Sequence, residues 1–286
     1  NLEIKMKKIA IIPNNIKVIG LLVTKRVVDY LLGKAELYME NKFSVTGMKV
    51  NYVKKSAIFE NVDLMIILGG DGTILQEAAA CAKYGIPVMG INLGKVGFLT
   101  EIECDNIENA LDKLLAEKYT IEKRMLIKLE IRREGKTVCV QNALNDVVVS
   151  KPSGAKLIDM ELYAGDELVN RYIADGLIIA TPTGSTGYSI SAGGPVVDPS
   201  MTLYIATPIC PHMLSARSAV LSADKPIIIR LDSAYPDNEA VVTADGDVQG
   251  YISSADEVAV LKSKYEFQLI RTGRQSFYNT LISKLS

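Results

Sequence analysis

The run Val62-Asp63-Leu64-Met65-Ile66-Ile67-Leu68 passes directly into Gly69-Gly70-Asp71-Gly72-Thr73 and then into Ile74-Leu75-Gln76-Glu77-Ala78-Ala79-Ala80. This reads as strand, glycine turn and helix. The apolar run has the length of a strand buried on both faces, and the segment after the turn is made of good helix formers. The turn falls at the carboxyl end of the strand, where open α/β sheets bind their ligands. Thr73 followed three residues later by Gln76 fits a capping box, which predicts a helix starting at Thr73 with its free N–H groups facing the turn. Such an end attracts anions. Glycine lets the backbone take positive φ and approach a ligand with no Cβ in the way, so Gly69, Gly70, Gly72 and Thr73 are candidate phosphate-binding residues. Asp71 is the odd residue, because a carboxylate in a phosphate cradle repels the ligand unless it has its own task. It could hold a divalent cation that bridges phosphates, or take the proton of a hydroxyl attacking a phosphoryl group. The alternative is a tight strand-to-helix turn with a solvated Asp.

Upstream, Lys8-Ile9-Ala10-Ile11-Ile12-Pro13 predicts a first buried strand, and Thr24 to Glu40 a helix with Val27, Val28, Leu31 and Leu32 on one face. Asn41 to Asn61 shows no clear period, with a strand expected at Val45 or at Val50 to Val53. Downstream come a strand in Gly85 to Asn92, a glycine-punctuated loop Leu93-Gly94-Lys95-Val96-Gly97-Phe98-Leu99, and a helix carrying Ile107, Leu111, Leu114 and Leu115. Alternating strands and helices imply a parallel sheet, so residues 1–120 read as an α/β, Rossmann-like N-terminal domain. From Ile121 the pattern changes to short strands and turns, as in Ile127, Leu129 and Ile131 alternating with charged residues before Glu134-Gly135-Lys136. Residues 121–268 therefore read as an all-β sandwich C-terminal domain, and 269–286 as a last segment with a short helix at Phe277 to Leu285.

Composition narrows the function. The formal charge is −1, from 32 basic and 33 acidic side chains with no block of like charge, so neither a nucleic-acid groove nor a membrane-binding basic face is expected. No apolar stretch approaches the length of a membrane span, and no signal-peptide pattern opens the chain. His212 is the only histidine, and Cys81, Cys104, Cys139 and Cys210 form no Cys-x-x-Cys pair, which excludes a structural zinc site. Cys81 and Cys139 lie in apolar patterns that read as buried thiols, and a reducing cytoplasm is expected.

The β-rich half carries more polar chemistry than a sandwich needs. In Leu144-Asn145-Asp146-Val147, an amide and a carboxylate together could receive two sugar hydroxyls, or could form an Asx turn into a strand. Asp175-Gly176 opens a strand that runs into Thr181-Pro182-Thr183-Gly184-Ser185-Thr186-Gly187-Tyr188-Ser189-Ile190-Ser191-Ala192-Gly193-Gly194-Pro195. Small residues and backbone N–H groups there suit a phosphodiester or amide ligand, and Tyr188 offers a ring to stack on a base. In Pro208 to Arg217, His212 is either a ligand contact or a hydrogen-bonded loop residue.

The pentapeptide Gly69 to Thr73 resembles the signature of a superfamily that includes NAD kinases, lipid kinases and, more distantly, phosphofructokinases. Taken with Leu93 to Leu99, Asp175-Gly176, Thr181 to Pro195 and Pro208 to Arg217, it is similar over nearly the whole chain to bacterial and archaeal NAD kinases. The resemblance implies transfer of the terminal phosphoryl group of ATP, or of polyphosphate in some members, to the 2′-hydroxyl of the adenosine ribose of NAD. It implies a divalent cation, usually Mg²⁺, with no ligand residue assigned, and a homodimer or homotetramer. By the same resemblance Asp71 accepts the hydroxyl proton beside Gly72, Asn145 and Asp146 hold the ribose, and Asp175 binds the nicotinamide end. Thr186, Gly187, Tyr188, Ser189, Ile190 and Ser191 line the dinucleotide, and Lys156 and Asp247 are further contacts. Asp146 stands where the family usually has Glu, Gly187 where Ala is common and Asp247 where Gln is frequent. A lipid kinase and a catalytically silent NAD or NADP sensor are the alternative functions.

Overall fold

The computed structural model describes residues 6–14, 18–94, 97–213, 216–232, 239–273 and 277–285. Lys95 and Val96 of the glycine-punctuated loop, and Leu214 and Ser215 of the proline-flanked loop, lie outside the described residues. The chain divides into two compact units, Asn1–Lys123 with Phe267–Ser286, and Arg124–Glu266. None of the described helices is long and apolar enough to cross a membrane.

The first unit runs β1 (Lys8–Ile12), α1 (Val18–Leu31), β2 (Glu36–Glu40), β3 (Asn51–Val53), α2 (Lys55–Asn61), β4 (Leu64–Gly69), α3 (Asp71–Tyr84), β5 (Val88–Asn92) and α4 (Ile107–Leu115). Every pairing among its five strands is parallel, in the order β5-β4-β1-β2-β3. The chain winds outward from β1 through β2 to β3, then returns to the other side of β1 with β4 and β5. The order reverses between β1 and β4, which puts the switch-point crevice at the carboxyl ends of those two strands. Gly69 and Asp71 stand there.

Strand alternation sorts the two faces of this sheet. Ile9, Ile11, Leu64, Ile66, Leu68, Met89 and Ile91 share one buried cluster with Val27, Val28 and Leu31 of α1 and with Ile107, Leu111 and Leu114 of α4. On the opposite face Met65 meets the thiol of Cys81 on α3, at 3.7 Å between sulfurs. Gly90 lies so close to Ile74 of α3 that a Cβ would come within 2.8 Å of its Cδ1. β4 and β5 are buried along their whole length, as the apolar runs require.

One expectation for this unit is corrected. The first helix begins at Val18 and ends at Leu31, and Glu36–Glu40 is a strand. Gly33, at φ 76°, turns the chain, and Leu37 and Met39 are buried by alternation, a period of two that a helical reading overrides. Of the two positions offered for a strand, Val50 to Val53 contains β3, whereas Val45 is 92% exposed in a 3-10 turn. The helix α2 has no strong apolar period, burying only Ile58, and was not expected.

The second unit contains β6 (Thr120–Arg133), β7 (Lys136–Ala143), β8 (Asp146–Ser150), β9 (Ile158–Ala164), β10 (Glu167–Ala174), β11 (Gly176–Ala180), the single turn α5 (Tyr188–Ser191), β12 (Leu203–Ile209), β13 (Ala219–Ser222), β14 (Ile227–Leu231), β15 (Ala240–Ala244), β16 (Asp247–Ile252) and β17 (Asp256–Arg271). β17 ends in the first unit, where Leu269 pairs in parallel with Val88 of β5, and α6 (Phe277–Leu285) follows. Within the second unit one antiparallel sheet has the order β13-β12-β11-β8-β15-β16, and the other runs through β6, β7, β9, β10, β14 and β17. Alternate residues of both sheets, among them Ile127, Leu129, Val147, Val149, Met160, Leu177, Ile179, Ile227 and Val258, form one buried cluster. That is the core of a sandwich. A second cluster, Val148, Ile178, Ala180, Val197 and Ile205, lies on the other face of the first sheet, so the loop after β11 covers a strand buried on both sides. All four cysteines are unpaired. Cys81 is buried as expected, but Cys139 is only half-buried, packing at the margin of the sandwich core while its neighbours Val138 and Val140 face solvent.

Candidate active site

In the first unit the site begins with the register of β4 and β5, where Gly69 lies directly beside Asn92. α3 starts two residues before the capping box predicts. Gly70 is the N-cap, with φ −106° and no side-chain cap, and Asp71 is already in the first turn. Thr73 cannot cap because it is itself helical: its N–H bonds to the Gly70 carbonyl at 3.0 Å, and its side chain lies over Gly69. The expectation of positive φ at the glycines is also corrected, since Gly69, Gly70 and Gly72 are absent from the left-handed positions. What the glycines supply is clearance. A Cβ on Gly69 would strike Thr73 Oγ1 at 2.3 Å, whereas one on Gly70 or Gly72 would meet nothing within 4 Å. The packing of this unit therefore does not demand glycine at Gly70 or Gly72. The backbone at both positions is open to the approach of an outside group.

Asp71 is half-buried, and its carboxylate is held by the backbone of a neighbouring loop. Its Oδ2 accepts the N–H of Phe98 at 2.8 Å, and its Oδ1 accepts the N–H of Leu99 at 3.0 Å, the N–H of Thr100 at 3.2 Å and the Thr100 hydroxyl at 3.3 Å. Gly97 makes this possible, because a Cβ there would lie 1.9 Å from Oδ1. Oδ1 is thus filled by three donors, and Oδ2 keeps a free lone pair. The loop that reads Asp71 is itself tied down. Arg271 donates to the Phe98 carbonyl at 3.2 Å, to Glu122 at 2.5 Å and to Glu101 at 3.5 Å, and the Phe98 ring rests 5.7 Å from that of Phe277 on α6.

Among the described residues no group of three or more His, Cys, Asp or Glu side chains is placed to hold a metal ion. The described residues of the first unit therefore provide no closed cation cage of such side chains. The open position on Asp71 Oδ2 suits a proton or a water of a hydrated divalent cation.

In the second unit the turn between β15 and β16 places Asp245, at φ 48°, under the start of β8. Its carboxylate accepts the N–H groups of Leu144 and Asn145 at 2.7 Å each and of Asp146 at 3.1 Å. The Thr181 hydroxyl donates to the Leu144 carbonyl at 2.6 Å and receives the Gly184 N–H at 3.0 Å, while the Thr181 N–H bonds the Asn145 carbonyl at 2.8 Å. Gly184 passes so close that a Cβ would lie 2.1 Å from that carbonyl. The Asn145-Asp146 turn is therefore held from both sides by backbone bonds. Its two side chains have no protein partner among the described residues. Asp146 is 6% exposed, and burial, followed by the nearby charge of Asp245, pushes its carboxyl up to about 7. Burial also raises Asp245, against the pull of its three N–H donors.

The other sequence-derived candidates divide clearly. Gly187 lies beside the Asn145 amide, within 3.4 Å for a Cβ. Thr186 bonds within its own turn to the Thr183 carbonyl, and buried Ser189 shares a 3.0 Å hydrogen bond with Thr207, so both have local partners. Tyr188 is 49% exposed, Ile190 is half-buried and Ser191 exposed. Asp175 is paired with Lys151 at 2.8 Å, and Lys156 and Asp247 are exposed. His212 bonds the Ile173 carbonyl through its backbone N–H and leaves its ring exposed. Asp245 and Thr181, which build the Asn145-Asp146 turn, carry no role in the sequence reading. The Asp245-Gly246 pair between two apolar strands signals a hairpin, but nothing local shows whose N–H groups its carboxylate receives.

An acidic glycine loop at the switch point of a parallel sheet, in a chain that also carries a sandwich with an unpartnered carboxylate-amide turn, defines a kinase for a hydroxylated substrate. Residues 9–119 match the ATP-NAD kinase N-terminal domain and residues 144–272 the ATP-NAD kinase C-terminal domain. The NAD kinase of Caldanaerobacter subterraneus subsp. tengcongensis is 40% identical over 284 residues, 98% of this chain and 99% of that one. That of Thermoanaerobacter pseudethanolicus is 40% identical over 285 residues, with the same coverage. Yeast NADH kinase, solved in complex with NADH, shares the fold with a TM-score of 0.90 at 21% identity, over 98% of this chain and 87% of its own. An NAD kinase from Archaeoglobus fulgidus, solved with ATP, gives a TM-score of 0.74 at 27% identity, over 97% of this chain and 98% of its own. The chain belongs to the NAD kinase family, and its activity is the phosphorylation of NAD.

Proposed function

We propose that the chain transfers the terminal phosphoryl group of ATP, or of polyphosphate, to the 2′-hydroxyl of the adenosine ribose of NAD, giving NADP. The observation that carries the donor half is the open space at Gly70 and Gly72 on either side of Asp71, at the N-terminus of a 14-residue helix. Phosphate oxygens approach that backbone and the Thr73 hydroxyl, and the helix end favours their charge. Asp71 accepts the proton of the attacking hydroxyl at Oδ2, while the Phe98, Leu99 and Thr100 bonds fix its orientation. Positioning carries most of the acceleration in such a transfer, with proton removal a smaller part. Mg²⁺ bound with the donor would supply charge neutralisation, and Asp71, whose one open position on Oδ2 takes the proton, would reach the ion only through one of its waters.

Asn145 and Asp146 receive the adenosine ribose hydroxyls, the carboxylate accepting and the amide doing either. Tyr188 stacks on a base, with Thr186, Gly187, Ser189, Ile190 and Ser191 shaping the dinucleotide's surroundings. Lys156 and Asp247 contribute peripheral contacts. Asp175 binds the nicotinamide end by exchanging its Lys151 partner. Exposed Val138 and Val140 on β7, and Val248 and Tyr251 on β16, suit burial against another copy, as a homodimer or homotetramer requires. Four unpaired thiols suit a reducing cytoplasm.

The test is product identity. Incubation with NAD, ATP and Mg²⁺ should yield a dinucleotide reduced by an NADP-specific dehydrogenase, which reads the 2′-phosphate. A phosphorylated product that this dehydrogenase rejects would place the transfer on another hydroxyl.

A further inference from the structure

Asn92 ends β5 at the carboxyl edge of the parallel sheet and is 3% exposed. Its Oδ1 accepts the N–H of Gly94 at 2.8 Å, which fixes which end of the amide is oxygen. Its Nδ2 is buried with no hydrogen-bond partner. A buried donor with no acceptor is desolvated without compensation. The Gly94 turn does not need that donor, because Asp or Ser would offer the same acceptor.

The register shows where the orphan donor faces. Asn92 pairs in parallel with Gly69, and paired residues of parallel strands point to one side. A Cβ on Gly69 would point at Thr73 in the first turn of α3, and Gly90, two residues before Asn92, faces Ile74 of the same helix. Asn92 therefore stands on the α3 face, beside the turn that holds Asp71, and Thr73 Oγ1, which lies over its strand partner Gly69, also has no protein partner among the described residues. Glu77 Oε2 is likewise buried and unpaired, but it belongs to a carboxylate already paired with Lys55 and would repel a phosphate.

We propose that Asn92 is a further residue of the phosphoryl-transfer site, donating its Nδ2–H to a non-bridging oxygen of the transferred phosphoryl group. This rests on the kinase reading above. A neutral donor adds stabilisation where charge spreads in the transition state without holding the anion tightly in the ground state.

Asn92→Asp and Asn92→Ser keep an acceptor for Gly94 N–H and remove the amide donor. Steady-state NADP formation and NAD binding are measured for both beside the native enzyme. The expected result is a kcat lowered about 100-fold, in the range for losing one transition-state donor, with NAD affinity changed less than about twofold. Either variant retaining more than about half the native kcat overturns the proposal. Should the buried charge of Asn92→Asp prevent folding, Asn92→Ser carries the test. In the native protein, the Asn92 side-chain amide resonance should shift on adding a non-hydrolysable ATP analogue with Mg²⁺, and no shift would also overturn it. Failure of the native enzyme to form NADP is a separate outcome that defeats the kinase reading itself.

Discussion

Replacing Asp146 by Asn should make the protein more stable above neutral pH and a weaker binder of NAD. The side chain is buried at the start of β8, has no protein partner and faces the carboxylate of Asp245, which itself lies near Asp247. In the folded chain its carboxyl titrates at about 7, against an ordinary value of 3.8. Below 3.8 both folded and unfolded states hold the proton and the site costs nothing. Between 3.8 and about 7 the unfolded state ionises while the folded state does not, so stability falls as pH rises, and above about 7 the loss is complete. The full difference corresponds to about 4 kcal/mol. Asn keeps the shape without ionising, though its own unpaired amide costs about 1 kcal/mol or more. Asp146→Asn should therefore gain about 2–3 kcal/mol over the native chain at pH 8 and little or nothing at pH 4.5. Urea unfolding at the two pH values measures this. NAD affinity should fall about tenfold as a charge-assisted bond to a ribose hydroxyl is lost. A native-to-variant stability difference that does not change with pH, or a variant less stable at pH 8, would refute the argument that Asp146 is held ionised against the fold.

Gly72→Ala meets no neighbour within 4 Å and sits in a helix, so thermal stability should hold or rise by up to about 1 kcal/mol while activity with ATP falls tenfold or more; unchanged activity would contradict close approach of the donor there. Gly97→Ala forces a Cβ onto Asp71 Oδ1 and should lower both stability and kcat, read by thermal unfolding and NADP formation. Arg271→Met removes the cation that ties the Phe98 carbonyl to Glu101 and Glu122. It should speed hydrogen exchange of the Phe98, Leu99 and Thr100 amides and lower kcat about tenfold, with the KM for NAD little changed.

The sequence makes β4, its glycine turn and the parallel sheet legible because a strand buried on both faces has no polar period to confuse it, and the sandwich follows from alternation as regular as that of β6. Local patterns mislead where tertiary context decides. β2 is five residues long after a helix, and its alternation is lost inside a helical window. Thr73 and Gln76 have the right spacing for a cap, yet clearance over Gly69 places the helix start at Asp71. Candidate site residues are visible where they sit in glycine-rich loops. Asp245 and Asn92 are not, because their meaning lies in partners beyond their own segment: three N–H groups about a hundred residues away for Asp245, and an absent acceptor for the side-chain amide of Asn92.

The account turns on Asp71, so the decisive measurement is NADP formation from NAD, ATP and Mg²⁺ by the native chain and by Asp71→Asn, with NAD binding followed in parallel. Asn retains one oxygen for the Thr100 and Leu99 donors but turns an NH₂ toward the Phe98 N–H and cannot take a proton from the hydroxyl. The account predicts that the variant still binds NAD and forms NADP at least about 100-fold more slowly. Turnover by Asp71→Asn at the native rate would show that this carboxylate only pins the Phe98 loop.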